Sequence, residues 1–359
     1  MTDATLVCAS CGRTYADRWR CECGGPLDFA DRPLPQRERP DPAGFDTRDG
    51  LWSFAPFLPV ERGPSLGEGM TPLVPAPTWD AGFKLEYVSP TGSFKDRGAT
   101  TTLGRAIVCG ADRVVEDSSG NAGAAIATYA ARAGLDADIY VPASVKAAKL
   151  RAIERAGATP VRIEGDRAAV TEACLDAVEA GAGWYASHSW NPAFFEGTAT
   201  FAYELALQRD WNPPDAVVMP LGHGTLFLGA YRGFRSLVDA GWIDSMPRLL
   251  GAQAAGYAPI ASELHPAADG ENTVADGIQI RAPTRKRQLL DAIAETNGDA
   301  IAVGEDAVRT ELDRLHANGF YVEPTCAIAP AALAAYRERG TLGPDADVVV
   351  PLTGHGLKG

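Results

Sequence analysis

The chain has 359 residues, enough for two packed domains, and 46% of them are apolar, an ordinary globular share. Its 33 basic and 46 acidic residues leave a formal charge of −13, which argues against a nucleic-acid-binding surface. No apolar run is long enough to span a membrane, and the N-terminus lacks the basic start and apolar core of a secretory signal. Lysine is confined to Lys84, Lys95, Lys146, Lys149, Lys286 and Lys358; such an acidic, lysine-poor surface fits work in high salt. Seven cysteines, an odd count, with Cys109, Cys174 and Cys326 scattered, fit a reducing cytoplasm better than a disulfide framework.

Four cysteines open the chain as two close pairs, Cys8 with Cys11 and Cys21 with Cys23. Two thiolate pairs can surround one tetrahedral zinc, and Gly12 and Gly24 allow the tight turns of a knuckle. Residues 1–30 are therefore expected to form a zinc ribbon, although the second pair has one spacer where two or more are usual. Four thiolates leave no open position, so a structural metal is expected. A metal-free ribbon and a redox-active thiol cluster are the alternatives. Residues 31–50, rich in Pro, Arg and Asp, read as a linker. Leu51–Val60 reads as an irregular buried segment, and Gly67–Leu73 as a turn into a short strand.

The next stretch carries the most information. Gly82–Val88 reads as a strand, Pro90 and Gly92 turn the chain, and Ser93 is placed to cap a helix over Ser93–Cys109. Lys95 then sits in the first turn, the end of a helix that disfavours a cation. With Asp96 and Arg97 beside it, Lys95 reads either as a placed amine or as an exposed helix start.

From there strands and helices alternate. Strands are predicted at Asp112–Glu116, Ala137–Val141, Thr159–Ile163, Trp184–Ser187, Ala216–Met219, Leu249–Ala252, Ala300–Val303 and Val348–Pro351. The first four are separated by helices at Asn121–Ala133, Lys146–Ala156 and Asp166–Ala180. Short apolar strands between longer helices predict an α/β protein with parallel-rich sheets covered on both faces.

Three strand-to-helix loops stand out, because such junctions bind ligands in α/β proteins. The first runs Asp117-Ser118-Ser119-Gly120-Asn121-Ala122-Gly123. The second, Gly222-His223-Gly224-Thr225-Leu226, is a glycine loop feeding a helix and suits a phosphate group. It is neither a Walker loop nor a dinucleotide fingerprint. The third is Thr353-Gly354-His355-Gly356, delivered by the strand Val348–Pro351.

A placed lysine, a Ser-Gly-Asn loop, a glycine phosphate loop and a late Thr, in that order, resemble the fold-type-II pyridoxal-phosphate enzymes. The likeness is greatest to the threonine synthase family, through residues 90–98, 118–123 and 353–358, and it covers the chain from about residue 50. The resemblance implies two three-layer α/β domains: a smaller one over 83–189 carrying Lys95 and Asn121, and a larger cofactor-binding one over 51–82 and 190–359. It also implies a homodimer. By position, Lys95 would form the Schiff base and later move protons as base and acid. Asn121 would face the ring hydroxyl, backbone N–H groups of Gly222, His223, Gly224, Thr225 and Leu226 would hold the cofactor phosphate, and Thr353 would face the pyridine nitrogen. Ser118, Ser119 and Asn191 are expected near the substrate. The reaction so implied converts O-phosphohomoserine and water to threonine and phosphate.

Two positions depart from the family pattern. Phe194 stands where family members carry an arginine that grips the substrate phosphate, and phenylalanine offers nothing comparable. The phosphate loop carries His223, Thr225 and Leu226 where asparagines are usual. These departures favour an alternative with the same cofactor: elimination or β-replacement on another amino acid, as in threonine dehydratase or cysteine synthase. A non-catalytic sensor on the same fold is the other alternative, and the intact Lys95 argues against it. His188, His265 and His316 lack metal spacing and are expected to be structural or exposed. Asp96 and Arg97 are expected to order the lysine helix, and Glu323–Thr325 to lie near the substrate.

Overall fold

The computed structural model describes residues 4–35, 38–266 and 270–358. The chain divides into two units. The first comprises Met1–Pro35, Thr47–Glu68 and Lys95–Thr198; the second comprises Gln36–Asp46, Gly69–Phe94 and Ala199–Gly359.

Strands β1 (Leu6–Cys8), β2 (Thr14–Tyr15) and β3 (Leu27–Phe29) form a small antiparallel sheet in the order β2-β1-β3. Their alternation buries Leu6, Cys8, Leu27 and Phe29, which pack with Cys21 against Ala193 of the same unit. Residues Gly50–Phe57 coil into 3-10 turns that bury Leu51, Trp52, Phe54 and Phe57. Glu68 holds this segment down. Its carbonyl accepts from the Leu51 N–H at 2.9 Å, and its carboxylate accepts from Trp52 Nε1 at 3.2 Å and the Tyr129 hydroxyl at 2.8 Å.

Strands β4 (Leu73–Ala76) and β5 (Ala81–Lys84) are an antiparallel pair in the second unit. The predicted strand Gly82–Val88 stops at Lys84, and Glu86–Val88 turns as a 3-10 helix. Lys84 is wholly buried there, with Nζ donating to the Glu204 carboxylate and to Thr71.

Helix α1 (Lys95–Val108) returns the chain to the first unit. Then follow β6 (Arg113–Glu116), α2 (Asn121–Ala133), β7 (Asp136–Pro142), α3 (Ala147–Arg155), β8 (Thr159–Ile163), α4 (Arg167–Glu179) and β9 (Trp184–Tyr185). The four strands form a parallel sheet in the order β8-β7-β6-β9. Gly134, at φ +71, ends α2 in the left-handed conformation, and its N–H donates back into the last turn. Asp166 caps α4 by accepting from the Ala169 N–H at 3.0 Å.

Helix α5 (Pro192–Leu207) begins in the first unit and continues in the second. The second unit then adds β10 (Ala216–Pro220), α6 (Thr225–Asp239), β11 (Arg248–Ala254), the short α7 (Ala261–Leu264), α8 (Lys286–Glu295), β12 (Asp299–Val303), α9 (Glu305–Ala317), α10 (Pro324–Glu338) and β13 (Val348–Pro351). Its sheet runs β12-β11-β10-β13-β5-β4, parallel throughout except for the β4–β5 edge pair. Apolar strand residues such as Val218, Leu250 and Val350 pack against Cys326, Ile328 and Leu333 of α10. Runs of this kind, apolar on both faces, are what a covered parallel sheet requires.

The boundaries inferred from the resemblance shift in three places. Residues 83–94 belong with the second unit, because β5 pairs with β13 there. Residues 51–68 and 190–198 belong with the first. The predicted linker also packs. Asp41 caps a 3-10 turn over Pro42–Gly44, the Pro40 carbonyl accepts from Trp211 Nε1 at 2.9 Å, and Phe45 meets the Trp211 ring edge-on at 6.2 Å. Prolines leave carbonyls without local partners, and Trp211 takes one. Gln36 and Arg37 of the predicted linker, and Met1–Asp3 of the predicted ribbon, lie outside the described residues.

Candidate active site

Lys95 is the first residue of α1. The turn before it closes through the Gly92 N–H, which donates to the Ser89 carbonyl at 2.7 Å, with Gly92 at φ +78. Ser93 was the predicted cap. Instead its backbone bridges Gly354, and its Oγ is buried without a hydrogen-bond partner among the described residues. The next N–H, of Phe94, donates to the Thr353 carbonyl at 3.1 Å. The residue directly before the lysine is thereby tied to the Thr353 loop.

The Lys95 ammonium lies 5.5 Å from the centroid of the Phe194 ring. Phe194 is wholly buried, and its ring occupies the notch left by Gly98 on α1. A Cβ on Gly98 would come within 2.2 Å of that ring. A Cβ on Gly197 would come within 2.0 Å of the Arg97 carbonyl, and Thr101 Oγ1 donates to the Ala193 carbonyl at 2.8 Å. These contacts lock α1 to the first turns of α5. Asp96 and Arg97 are both fully buried.

In the loop after β6, Asp117 accepts from Thr171 Oγ1 at 2.6 Å and from the Tyr185 hydroxyl at 2.9 Å. Gly123 allows the Ser118 carbonyl to press onto α2, where a Cβ would come within 1.8 Å. Ser118 is buried, Ser119 is half-buried, and Asn121 is the first residue of α2, at the positive end of that helix. Asn191, expected near the substrate, is buried directly before α5. Its Oδ1 accepts from the Ala193 N–H at 3.0 Å and its Nδ2 donates to the Tyr185 carbonyl at 3.5 Å, so the side chain holds the start of α5.

His188 takes the structural place expected of it. Its Nδ1 lies 2.7 Å from Oε1 of the fully buried Glu116. A buried glutamate closing the apolar strand Arg113–Glu116 was the sequence signal for this pair. His265 and His316 are as bland as predicted: one pairs with Asp299 at 2.6 Å, the other with the Val322 carbonyl at 3.0 Å.

The second unit carries the glycine loop. Leu221 N–H donates to the Ala252 carbonyl, which anchors the end of β10. Gly224 takes φ +79 and lies so close to Leu289 that a Cβ would come within 2.4 Å. The loop runs into α6, so Gly222, His223, Gly224, Thr225 and Leu226 lie at the positive end of a 15-residue helix. Thr353 is buried, and its N–H donates to Cys326 Sγ at 3.1 Å. Burial pushes the Cys326 thiol up to about 12, so a neutral thiol, not an anion, lies beside Thr353. His355 sits between the rings of Tyr87 and Tyr321, at 5.4 and 6.0 Å. Glu323 lies against Gly354, and Thr325 Oγ1 accepts from the Gly277 N–H at 3.1 Å.

The donor set fits pyridoxal phosphate. In the first unit a half-buried amine heads α1; in the second a glycine turn opens α6 and a hydroxyl lies beside a neutral thiol, groups whose chemistry suits an aldehyde, a phosphate and a pyridine ring. The cysteine cluster fits a metal. Cys8 and Cys23 sulfurs are 3.5 Å apart, Cys11 and Cys21 sulfurs 3.4 Å, and all four lie within 4.8 Å of one another. Zn–S bonds of about 2.3 Å in a tetrahedron place sulfurs about 3.8 Å apart. Burial opposes ionisation of Cys21, but hydrogen bonds from Tyr15, the Cys23 backbone and Cys11 outweigh it and bring the thiol down to about 6. Among the described residues no helix is long and apolar enough to cross a membrane.

Comparison with known proteins gives the class. The family model described as pyridoxal-phosphate dependent enzyme matches residues 64–354, and the chain belongs to that family. The threonine synthase of Methanocaldococcus jannaschii is 34% identical over 98% of this chain and 92% of its own length. That of Methanosarcina acetivorans is 35% identical over the same shares. Among solved structures, maize serine racemase matches with a TM-score of 0.68 at 21% identity, covering 80% of this chain and 88% of its own. The processed threonine deaminase isoform 2 of Solanum lycopersicum matches at 0.67 with 22% identity, covering 79% of each chain. These two likenesses show the fold.

Proposed function

We propose that the chain is a carbon–oxygen lyase of the threonine-synthase type, converting O-phospho-L-homoserine and water to L-threonine and phosphate. The observation that carries this reading is the 34–35% identity to two archaeal threonine synthases across 98% of the chain. Lys95 at the head of α1 is the amine that binds the cofactor aldehyde and then takes and returns protons on the substrate. Asn121 orients the ring hydroxyl. The N–H groups of residues 222–226 hold the cofactor phosphate, and Thr353 faces the ring nitrogen without protonating it firmly. Bound pyridoxal phosphate supplies the electron sink that lets a carbon acid form beside its ring. In this reading Ser118 and Ser119, in the Asp117–Gly123 loop, bind the substrate carboxylate.

A second reading keeps the cofactor and changes the substrate. Phe194, buried and apolar, stands where the resemblance places a phosphate-gripping arginine, and this favours elimination or β-replacement on a hydroxy or acylated amino acid. One substrate panel separates the two. O-phosphohomoserine should release phosphate and yield threonine. Keto-acid formation from threonine or serine, without phosphate release from O-phosphohomoserine, favours the second reading. A wild-type protein with no visible absorbance after incubation with pyridoxal phosphate would overturn both, as would an unchanged band in Lys95→Ala. The homodimer implied by the resemblance is checked by light scattering on the purified protein.

A further inference from the structure

Glu116 is left over by the cofactor assignment. It closes β6, directly before the Asp117–Gly123 loop, and no part of it reaches solvent. The adjacent Asp117 is committed to Thr171 and Tyr185 and serves the fold. Glu116 faces another way. Its Oε1 meets His188 Nδ1 at 2.7 Å, and its Oε2 is buried with no hydrogen-bond partner among the described residues. A buried carboxyl oxygen without a partner is costly, and such groups concentrate where chemistry needs them. Burial first, then the charge of Asp117, pushes this carboxyl well above its ordinary range, while Lys95, the His188 backbone and Arg167 act against them.

The His188 ring continues the chain of contacts. It meets Phe194 edge-on, with centroids 6.1 Å apart, and Phe194 lies under the Lys95 ammonium at 5.5 Å. The His188 side chain keeps 11% of its surface accessible while that of Glu116 keeps none. Of the pair, the imidazole is the member that keeps accessible surface.

We propose that His188 donates a proton to the departing oxygen of the substrate beside Lys95, and that Glu116 is the positioning residue that holds the ring for this task. In this proposal Nδ1 keeps its hydrogen for Glu116, so the proton is delivered from Nε2. As the substrate C–O bond breaks, its electron pair leaves with the oxygen, and that oxygen takes the Nε2 proton. The ring enters this step protonated on both nitrogens and is left neutral as the Nδ1–H tautomer, and a proton from solvent water later restores the imidazolium. The substrates served are amino acids with an oxygen-linked leaving group. This rests on Lys95 being the reactive amine, not on which amino acid reacts.

The test uses the full-length, cofactor-loaded protein with Glu116→Gln and His188→Gln. Both are expected to keep the visible band of the bound cofactor and a KM close to wild type, while kcat falls by about 10²-fold. The loss in His188→Gln should be larger for a hydroxyl leaving group than for a phosphate ester, because the poorer leaving group needs the proton more. Nitrogen-15 NMR of the wild-type histidines should find the His188 ring, when neutral, as the Nδ1–H tautomer, and its signals should move in Glu116→Gln. Wild-type kcat in both variants with the band intact would overturn this proposal alone. So would an Nε2–H tautomer at His188. A wild-type protein with no visible band removes the Lys95 assignment and this proposal with it. Where a variant fails to fold, the wild-type ring spectrum decides.

Discussion

The Lys95 ammonium and the Phe194 ring face each other at 5.5 Å, and the ring is seated in the notch of Gly98. The amine and its apolar neighbour are therefore positioned by one helix contact. Gly98→Ala should disturb both. Alanine favours a helix interior over glycine, so a neutral site would gain stability. Here the new methyl meets the ring, and a loss of about 1–3 kcal/mol is expected instead. Urea unfolding followed by tryptophan fluorescence measures the loss, and the visible band reports whether the lysine stays in place. A stabilised variant with an unchanged band would contradict the packing described.

Glu116 gives a second expectation, from its raised pKa. A carboxyl held above its unfolded value binds protons more readily when folded. Its contribution is favourable below the unfolded carboxylate range and is lost as pH rises through the folded value. Glutamine has no such dependence. Glu116→Gln should therefore gain stability relative to wild type as pH rises, and the two should converge in acid. Melting curves at several pH values check this. A variant less stable than wild type at every pH would mean that the carboxylate serves the fold.

The Lys84–Glu204 pair, buried in the second unit, predicts strong non-additivity. Lys84→Met or Glu204→Leu alone leaves a buried charge without its counterpart and should cost about 3–5 kcal/mol. The double variant should recover most of that, because it removes the desolvation cost of both groups. Chemical denaturation of the four proteins in the cycle gives the coupling, and equal, additive losses would exclude it.

Gly224→Ala combines a left-handed backbone with a methyl 2.4 Å from Leu289. The loop at the start of α6 must move to admit it. Cofactor retention through dialysis should fall at least about tenfold, an energy of about 1.4 kcal/mol in the phosphate loop. Retention equal to wild type would remove this loop from the phosphate site.

The cysteine cluster reaches further than its size suggests. The core beneath it includes Ala193, next to Phe194. Elemental analysis should find about one zinc per chain. Chelation should lower the melting temperature and also reduce the visible band. Because thiolates bind the metal, acidification should release it. Metal-free protein with unchanged melting would assign the cluster to a self-sufficient ribbon.

Local signals account for what could be read from the chain alone. The helix Asn121–Ala133 and the strands Thr159–Ile163 and Val348–Pro351 have the predicted bounds, since Gly134, Gly157 and Pro351 mark their ends in sequence. Lys95 stands out in the sequence because glycine, proline and serine frame it within a few residues. Contacts between distant segments could not be read in this way. Glu116 and His188 meet because β6 and β9 pair in parallel with Val115 opposite Tyr185, a register no periodicity announces. The hold of Asn191 on the start of α5 is equally hidden, because its partners are backbone atoms, which every sequence supplies equally. Strand β5 was grouped with the lysine helix that follows it, whereas its hydrogen bonds run to β13 and β4.

The position of β13 bears on how the second unit is assembled. It lies between β10 and β5, and its Val349 pairs with Gly82 on one side and Val217 on the other. Until it inserts, β10 and β5 each present an unpaired edge in the middle of the sheet, the kind of surface on which other chains can add a strand. Closing that gap joins segments far apart in sequence, which is slow by loop-closure entropy. β13 follows both of its partners in the chain and leads directly into the Thr353 loop, so the strand that closes the centre of the sheet also carries that loop to its place.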